Sequence, residues 1–347
     1  VRFSNNIDYF AYADNFALNS HIISNLKYGS RQAKPFISIM IPSYKRPELL
    51  GEAIRSILNQ NGYGDFEIVI VDNDDSLEYH QQIIDMLQSF ADGRISYYVN
   101  AQNIGIFGNW NRCIELAHGA FMTILSDDDF LLPNFLSSMV SFINQHDNVA
   151  RIEGKYLTYY QLTNNSFKFK FKKLVRKYIL GGNDNLQIGW YHYLSQVICF
   201  ILRIKYKKIT LQMYLSGCFT APHSQLYRVE YARQIGGFNP NYAPIADYVF
   251  NACYVNNYDN CYQINEYIGV YRIFVNDSLS RSIGFNCVKG DREFTNYLLK
   301  RHLGIFNNIL RFFYIKCRYL SFKRSRSILL YGNLYRVIKL FYNLPFK

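Results

Sequence analysis

The seven cysteines of this 347-residue chain are scattered, odd in number and never spaced as C-x-x-C. That excludes a disulfide framework and a thiolate zinc site, and it predicts a reducing, cytoplasmic setting. No apolar run approaches the ~18 residues that a spanning helix needs, and no cleavable leader is legible at the start. Contact with a membrane is therefore expected only from its surface, on the inner face. No stretch reads G-x-x-x-x-G-K-[ST], which argues against a triphosphate-cradling loop and hence against nucleotidyl transfer. No internal repeat is evident. Acids are in short supply: 26 Asp and Glu stand against 38 Lys and Arg, for a net charge of +12. An anionic partner is implied, whether nucleic acid, acidic lipid or a phosphorylated substrate.

Apolar residues make up 49% of the chain and charged ones 18%, a globular rather than a disordered balance. The few acids are concentrated. Asp127, Asp128 and Asp129 follow the apolar run Phe121 to Leu125 and precede Pro133, which opens a helix. Adjacent carboxylates stay ionised together only with positive charge among them, and a hard divalent cation shared with a substrate phosphate supplies it. The alternative is a solvated acidic turn that caps the next helix.

Upstream, apolar runs at Phe36–Ile41, Phe66–Val71 and Ile95–Val99 alternate with helical periodicity from Pro47, through Ile83 to Phe90, and over Phe107–Ala117. Strand and helix alternating four times without a hairpin signal predicts a mostly parallel, Rossmann-type α/β sheet flanked by helices. In such a sheet the carboxyl ends of the strands lie along one edge, where ligands bind. Four polar clusters meet there: Ser43 to Arg46, Asp72 to Ser76, Asn103 to Gly105, and Asp127 to Asp129. Tyr44 can stack on a base, Arg46 can fork a phosphate and Asp72 can accept from a base or ribose. Turn chemistry alone would also favour Asp, Asn and Ser at each of these places.

The expected organisation is an N-terminal extension over residues 1–34, where no clear period appears, and an α/β nucleotide-binding half over 35–150. An acceptor-binding half with a basic insert follows over 151–280, then a helical, basic and aromatic extension over 281–347. Lys168 to Lys177 and Arg203 to Lys208 interleave basic with apolar residues, as do Arg311 to Lys316 and Lys323 to Arg326. The positive charge thus lies away from the acidic edge, which argues against nucleic acid as the partner. His223 and Trp110 read as structural residues, and Gly236-Gly237 as a turn needing positive φ.

Taken together, Ile39-Met40-Ile41-Pro42-Ser43-Tyr44-Lys45-Arg46, Val71-Asp72-Asn73-Asp74-Asp75-Ser76, Asn103-Ile104-Gly105 and Ser126-Asp127-Asp128-Asp129 resemble the successive loops of the inverting, nucleotide-sugar-dependent family 2 glycosyltransferases. Ile235-Gly236-Gly237-Phe238-Asn239 is similar to the segment before that family's catalytic acid, and Tyr271-Arg272 resembles a later pair. The resemblance implies a GT-A-like fold and a nucleotide-diphospho-sugar donor contacted by Pro42, Tyr44, Arg46, Asp72, Asn103, Asp127 and Asp128. It implies Mn²⁺ or Mg²⁺ held by Asp127 and Asp129, and Asp247 as the general base of a single inverting transfer to a glycan or lipid-linked acceptor. Ser126, Gln102 and Ala246 depart from the common pattern, and the Q-x-x-R-W signature of processive synthases is absent, which favours transfer of one sugar per encounter.

Overall fold

The structure is a computed structural model, and it describes residues 7–31, 34–76, 78–160, 186–187, 204–216, 222–273 and 281–302. Four strands form its centre: β2 (Ile37–Ser43), β3 (Phe66–Asp72), β4 (Ile95–Asn100) and β5 (Phe121–Ile124). β2 pairs in parallel with both β3 and β5, and β3 with β4, so their carboxyl ends share one edge. These strands are nearly continuous apolar runs because both faces are covered. Ile39, Ile41, Ile68 and Ile70 face one core, with Leu50, Ala53, Ile54 and Ile57 of helix α1 (Pro47–Leu58) and Ile83 and Leu87 of α2 (His80–Phe90). Met40, Val69 and Val71 face the other, against Phe107, Trp110, Cys113 and Ile114 of α3 (Gly105–Leu116). Each fully buried Leu or Ile contributes roughly 1.5–3 kcal/mol. Trp110 is a core residue, as expected.

The sheet continues past β5 as a mixed one. β6 (Phe130–Leu131) and α4 (Phe135–Gln145) lead to the long β7 (Arg151–Tyr160), on which the short β8 (Leu186–Gln187) pairs. β9 (Tyr206–Lys208) and β10 (Gln225–Arg228) follow, then α5 (Val229–Gln234), α6 (Ala246–Asn257), β11 (Cys261–Ile273) and α7 (Arg281–His302). β10 inserts antiparallel between β5 and β7, while β7 and β11 run parallel. With β1 (Ser24–Gly29) at one edge, this gives among the described residues one sheet in the order β1-β4-β3-β2-β5-β10-β7-β11-β6. The boundary expected near residue 150 falls between α4 and β7, inside this continuous sheet.

The N-terminal segment departs from expectation. Ser24–Gly29 forms β1, antiparallel to β4 at the sheet's edge. Its sequence, SNLKYG, has little strand propensity, and it is recruited by the unpaired backbone groups of β4 rather than by its own pattern. Farther upstream, Tyr9 packs on Phe294 and Tyr297 of α7, with ring centroids 5.0 and 5.1 Å apart. The Gly236-Gly237 turn has φ of 82° and 73°, as its sequence predicts. A Cβ at Gly236 would stand 2.0 Å from the carbonyl oxygen of Ala13, so the N-terminal segment can lie against this turn only because no side chain is there. Asn15 then accepts the opportunity: its backbone N–H donates to the Gly236 carbonyl at 3.1 Å, and its side-chain amide does so at 2.9 Å.

The basic segment Lys168 to Lys177 and the C-terminal stretches Arg311 to Lys316 and Lys323 to Arg326 lie outside the described residues. Among the described residues no helix is long and apolar enough to cross a membrane.

Candidate active site

Each of the four expected clusters sits at the carboxyl end of its strand. The backbone there is joined by asparagine amides. Asn73 N–H donates to the Ser43 carbonyl at 2.9 Å, tying β3's end to β2's. The Asn73 side chain donates to Asn103 Oδ1 at 2.8 Å and accepts from Asn100 Nδ2 at 3.1 Å and from the Ile104 N–H at 2.9 Å. Asn109, on α3, accepts from Asn100 at 2.9 Å and donates to the Val71 carbonyl at 2.9 Å. Asn103, expected at the substrate, thus has its carbonyl oxygen engaged within the loop.

Pro42 lacks an N–H, yet it lies in a central strand. The β2–β5 ladder ends at Met40, whose carbonyl accepts from Leu125 N–H at 2.9 Å. Residue 42 has the same parity, so its missing donor falls on the side where pairing has already ended. Beyond it the chain turns sharply: Lys45 has φ of 55°, and Pro47 starts α1. The turn leaves Tyr44 46% exposed, with the Lys45 ammonium 5.4 Å from the centre of its ring. It also directs the Tyr44 N–H at Asp127 Oδ2, 3.2 Å away, with the Ser43 hydroxyl donating to the same oxygen at 3.3 Å. Lys45, not singled out by its sequence, places its ammonium 3.6 Å from Asp74.

Asp72 is fully buried at the end of β3. Its two oxygens accept from the Tyr97 hydroxyl at 2.6 Å and the Asp74 N–H at 2.9 Å. Burial raises its pKa, and those hydrogen bonds oppose the rise. Tyr97 reaches it because β4 lies beside β3 with Val99 opposite Asp72.

The acid loop after β5 resolves three neighbouring residues into two orientations. Asp127 and Asp128 face Arg46, whose Nη1 is 3.7 Å from Asp127 Oδ1 and 3.0 Å from Asp128 Oδ2. Burial, and next the charge of Asp128, push Asp127 up to about 7 against the pull of Arg46. Asp128 is raised by burial and then by Asp129. Asp129 points elsewhere. Its Oδ1 accepts the Arg272 N–H at 2.8 Å, and its Oδ2 lies 2.9 Å from His223 Nδ1. Asp127 and Asp129, paired as metal ligands by the sequence reading, therefore do not turn their carboxylates to a common point, and Asp127 and Asp128 do share one.

Among the described residues no three His, Cys, Asp or Glu side chains converge as a ready-made metal cage. Two crowded carboxylates with a raised affinity for a proton nonetheless suit a hard cation, which commonly takes one or two carboxylates and completes its shell with substrate phosphates and water. The residues present fit Mg²⁺ or Mn²⁺ on those terms.

Asp247 enters from another element, the first turn of α6. It is not the N-cap, which is Ile245, but from the first turn it still meets one of the helix's unpaired N–H groups. Its Oδ1 accepts the Tyr248 N–H at 2.8 Å. The N-cap Ile245 and Tyr248 of the helix are buried, and α7 crosses here, with Gly290 against Ile245 and the Tyr248 ring 5.0 Å from that of Phe294. Burial pushes Asp247 up to about 6.

A family-wide comparison matches residues 38–236, more than half the chain, to Glycosyl transferase family 2. The chain belongs to that family. Its relatives include the GalNAc(5)-diNAcBac-PP-undecaprenol beta-1,3-glucosyltransferase of Campylobacter jejuni, 39% identical over 113 residues that cover 32% of this chain and 35% of that protein. The UDP-Glc:alpha-D-GlcNAc-diphosphoundecaprenol beta-1,3-glucosyltransferase WfgD of Escherichia coli is 29% identical over 135 residues, 39% of this chain and 50% of that protein. The chain thus spans between about a third and a half of the length of these curated relatives. The fold is GT-A-like. It superposes on S. aureus TarS in complex with UDP-GlcNAc with a TM-score of 0.57 at 15% identity, covering 88% of this chain and 79% of that one. A mannosyltransferase of Pyrobaculum calidifontis, in complex with GDP-Man and Mn²⁺, superposes with a TM-score of 0.51 at 12% identity over 91% and 87% of the two chains.

Proposed function

We propose that this family 2 member is an inverting glycosyltransferase that moves one hexose from a nucleotide-diphospho-sugar to a hydroxyl of a lipid-linked glycan in surface polysaccharide assembly. The observation that carries this reading is the meeting of Asp127, Asp128 and Arg46 beside Tyr44 and Asp72 at the carboxyl edge of the sheet. The lipid-diphosphate acceptors named for the C. jejuni and E. coli relatives favour the acceptor class.

In this reading Tyr44 and the buried end of β3 take the nucleoside, and Arg46 leaves its carboxylate partners to meet the diphosphate. A divalent cation held by Asp127 and Asp128 would supply charge for the departing diphosphate. Asp247 accepts the proton of the acceptor hydroxyl while that oxygen forms its bond to the anomeric carbon. The carbon–oxygen bond to the diphosphate breaks on the opposite face, and its electron pair leaves with the nucleotide. A pKa near 6 leaves the carboxylate ionised at neutral pH and more basic than an ordinary aspartate.

The test is a melting-temperature screen of nucleotide-sugars with Mn²⁺ or Mg²⁺. One donor is expected to stabilise the protein by ~2.7 kcal/mol at a hundredfold excess over its Kd, and a chelator to reduce that gain. Absence of any nucleotide-dependent shift across UDP-, GDP- and dTDP-sugars rejects the reading.

A lipid-linked acceptor would bring the enzyme to an anionic membrane surface, where Lys and Arg contribute ~1 kcal/mol each. The segment Arg311 to Arg326 has the basic and aromatic composition for this contact. Flotation with vesicles containing phosphatidylglycerol should carry the full chain at low salt. Replacing Arg311, Lys316, Lys323 and Arg324 by Gln should abolish it, and undiminished flotation would exclude this segment as the contact.

A further inference from the structure

The proposed reaction leaves two buried groups beside the acid loop without a part. Asp129 is 1% exposed, and His223 is fully buried on the short 3₁₀ turn Pro222–Ser224. A carboxylate and an imidazole removed from water are costly unless each is held by partners of suitable charge or polarity. Here a single strand organises both. Arg272 of β11 gives its N–H to Asp129 Oδ1. Tyr271 lays its ring parallel to that of His223, with a centroid separation of 6.3 Å and an interplanar angle of 7°. Gly269, two residues earlier, accommodates the imidazole: a Cβ there would stand 2.5 Å from His223 Cδ2. His223 Nδ1 in turn lies 2.9 Å from Asp129 Oδ2. Neither ring nitrogen makes a hydrogen bond among the described residues, and the 2.9 Å approach of Nδ1 to Asp129 is an ion-pair contact, the polar interaction that the ring makes there.

The Arg272 side chain extends the same arrangement across the molecule. Its guanidinium bonds Glu52 of α1 and lies over Phe130 and Tyr159, 5.6 and 5.7 Å from their ring centroids. The acid loop itself is closed by the Asp129 N–H donating to the Ser126 carbonyl at 3.1 Å. Any displacement of Asp129 would therefore carry Asp127 and Asp128 with it, two residues and one residue away.

We propose that Asp129, His223 and the backbone of Arg272 form a positioning bracket that fixes the acid loop on β11, and that Asp129 does not itself touch the diphosphate or its cation. The metal-dependent half of this statement rests on the proposed glycosyltransferase function; the bracket itself does not. The bracket joins the loop that serves the donor to a strand and a turn that belong to the other half of the sheet. A bracket needs the shape and the hydrogen-bond acceptor of residue 129, not its charge. A metal ligand needs the charge.

Asp129→Asn, Asp129→Ala and His223→Phe in the full chain separate the two roles. The first keeps an acceptor for Arg272 N–H, and the last keeps an aromatic ring against Tyr271. Amide hydrogen exchange over residues 126–131, measured without ligand, should be at least tenfold faster in Asp129→Ala and His223→Phe and close to wild type in Asp129→Asn. Calorimetric titration of UDP and GDP, with and without Mn²⁺, provides the second readout. The gain in affinity on adding Mn²⁺ should survive within about threefold in Asp129→Asn and fall at least tenfold in the other two, with metal-free affinity unchanged. Loss of the Mn²⁺ gain in Asp129→Asn with wild-type loop exchange would make Asp129 a ligand and overturn the proposal. Unchanged loop exchange in Asp129→Ala overturns the bracket as well. If none of the proteins binds a nucleotide but the exchange pattern holds, the bracket stands and the proposed function fails. Should His223→Phe not fold, the isosteric Asp129→Asn and the Asp129→Ala pair still decide the matter.

Discussion

Asp247→Asn is expected to bind nucleotide-sugar and metal as the wild type does and to transfer sugar ~10²-fold or more slowly. The substitution keeps the oxygen that accepts the Tyr248 N–H and removes only the basic group. Two further readouts follow from the raised pKa. The wild-type rate should fall about tenfold per unit below pH 6, as Asp247 becomes protonated, and the residual rate of the variant should lack that limb. The stability effect has the opposite sense. Asp247 binds its proton more tightly folded than unfolded, so between its ordinary pKa, near 4, and about 6 the native state holds the extra proton and stability falls as pH rises. Above 6 the full cost remains, ~3 kcal/mol for a rise of this size. Asp247→Asn should therefore be more stable than wild type at pH 7 and no more stable at pH 4. Denaturant titrations at the two pH values measure this. A variant that transfers at the wild-type rate places the base elsewhere, and one that loses stability at pH 7 shows that the carboxylate is not strained by burial.

The second large effect concerns Asp128. Asp128→Asn should lower kcat ~10²–10³-fold, the scale reported for removing one fixed electrostatic group from a developing charge. It should also abolish most of the Mn²⁺-dependent gain in nucleotide affinity. Because Arg46 loses its closest carboxylate in this variant, 3.0 Å away in the wild type, metal-free affinity for a nucleoside diphosphate should stay the same or rise. That combination distinguishes loss of a metal site from general damage, which lowers both affinities together. Wild-type turnover with full metal dependence in Asp128→Asn would remove this residue from the site.

Much of the N-terminal half of the sheet was readable because its strands are buried on both sides. Ile37, Ile39 and Ile41 alternate with Ser38 and Met40 toward opposite cores, yet all five are buried, and such a run declares a central parallel strand. The acids that follow each strand then fall on one edge by topology alone. What a linear reading does not contain is the direction of a side chain within a loop. Asp127, Asp128 and Asp129 are indistinguishable as letters, and the division between them is made by Arg46 on one side and by Arg272, 143 residues downstream of Asp129, on the other. Asp72 is a similar case. Its spacing suggests a ligand contact, but the Tyr97 hydroxyl that engages it becomes its neighbour only through the β3–β4 register. β1 is illegible for a different reason, since its partner's open edge selects it. The insertion of β10 between β5 and β7 depends on pairing across about a hundred residues of chain, beyond any local period.

The asparagines at the strand ends bear on how this site responds to its surroundings. Asn73, Asn100 and Asn109 are nearly buried and bond one another and the backbone of neighbouring strands, and none carries a charge or a titrating proton. Salt cannot screen such bonds as it screens an ion pair, and no change between mild acid and mild base alters them. The scaffold is deaf to the medium, while the carboxylates mounted on it are not. Acidification should therefore switch the chemistry off and on again reversibly, with the asparagine-tied strand ends kept in place.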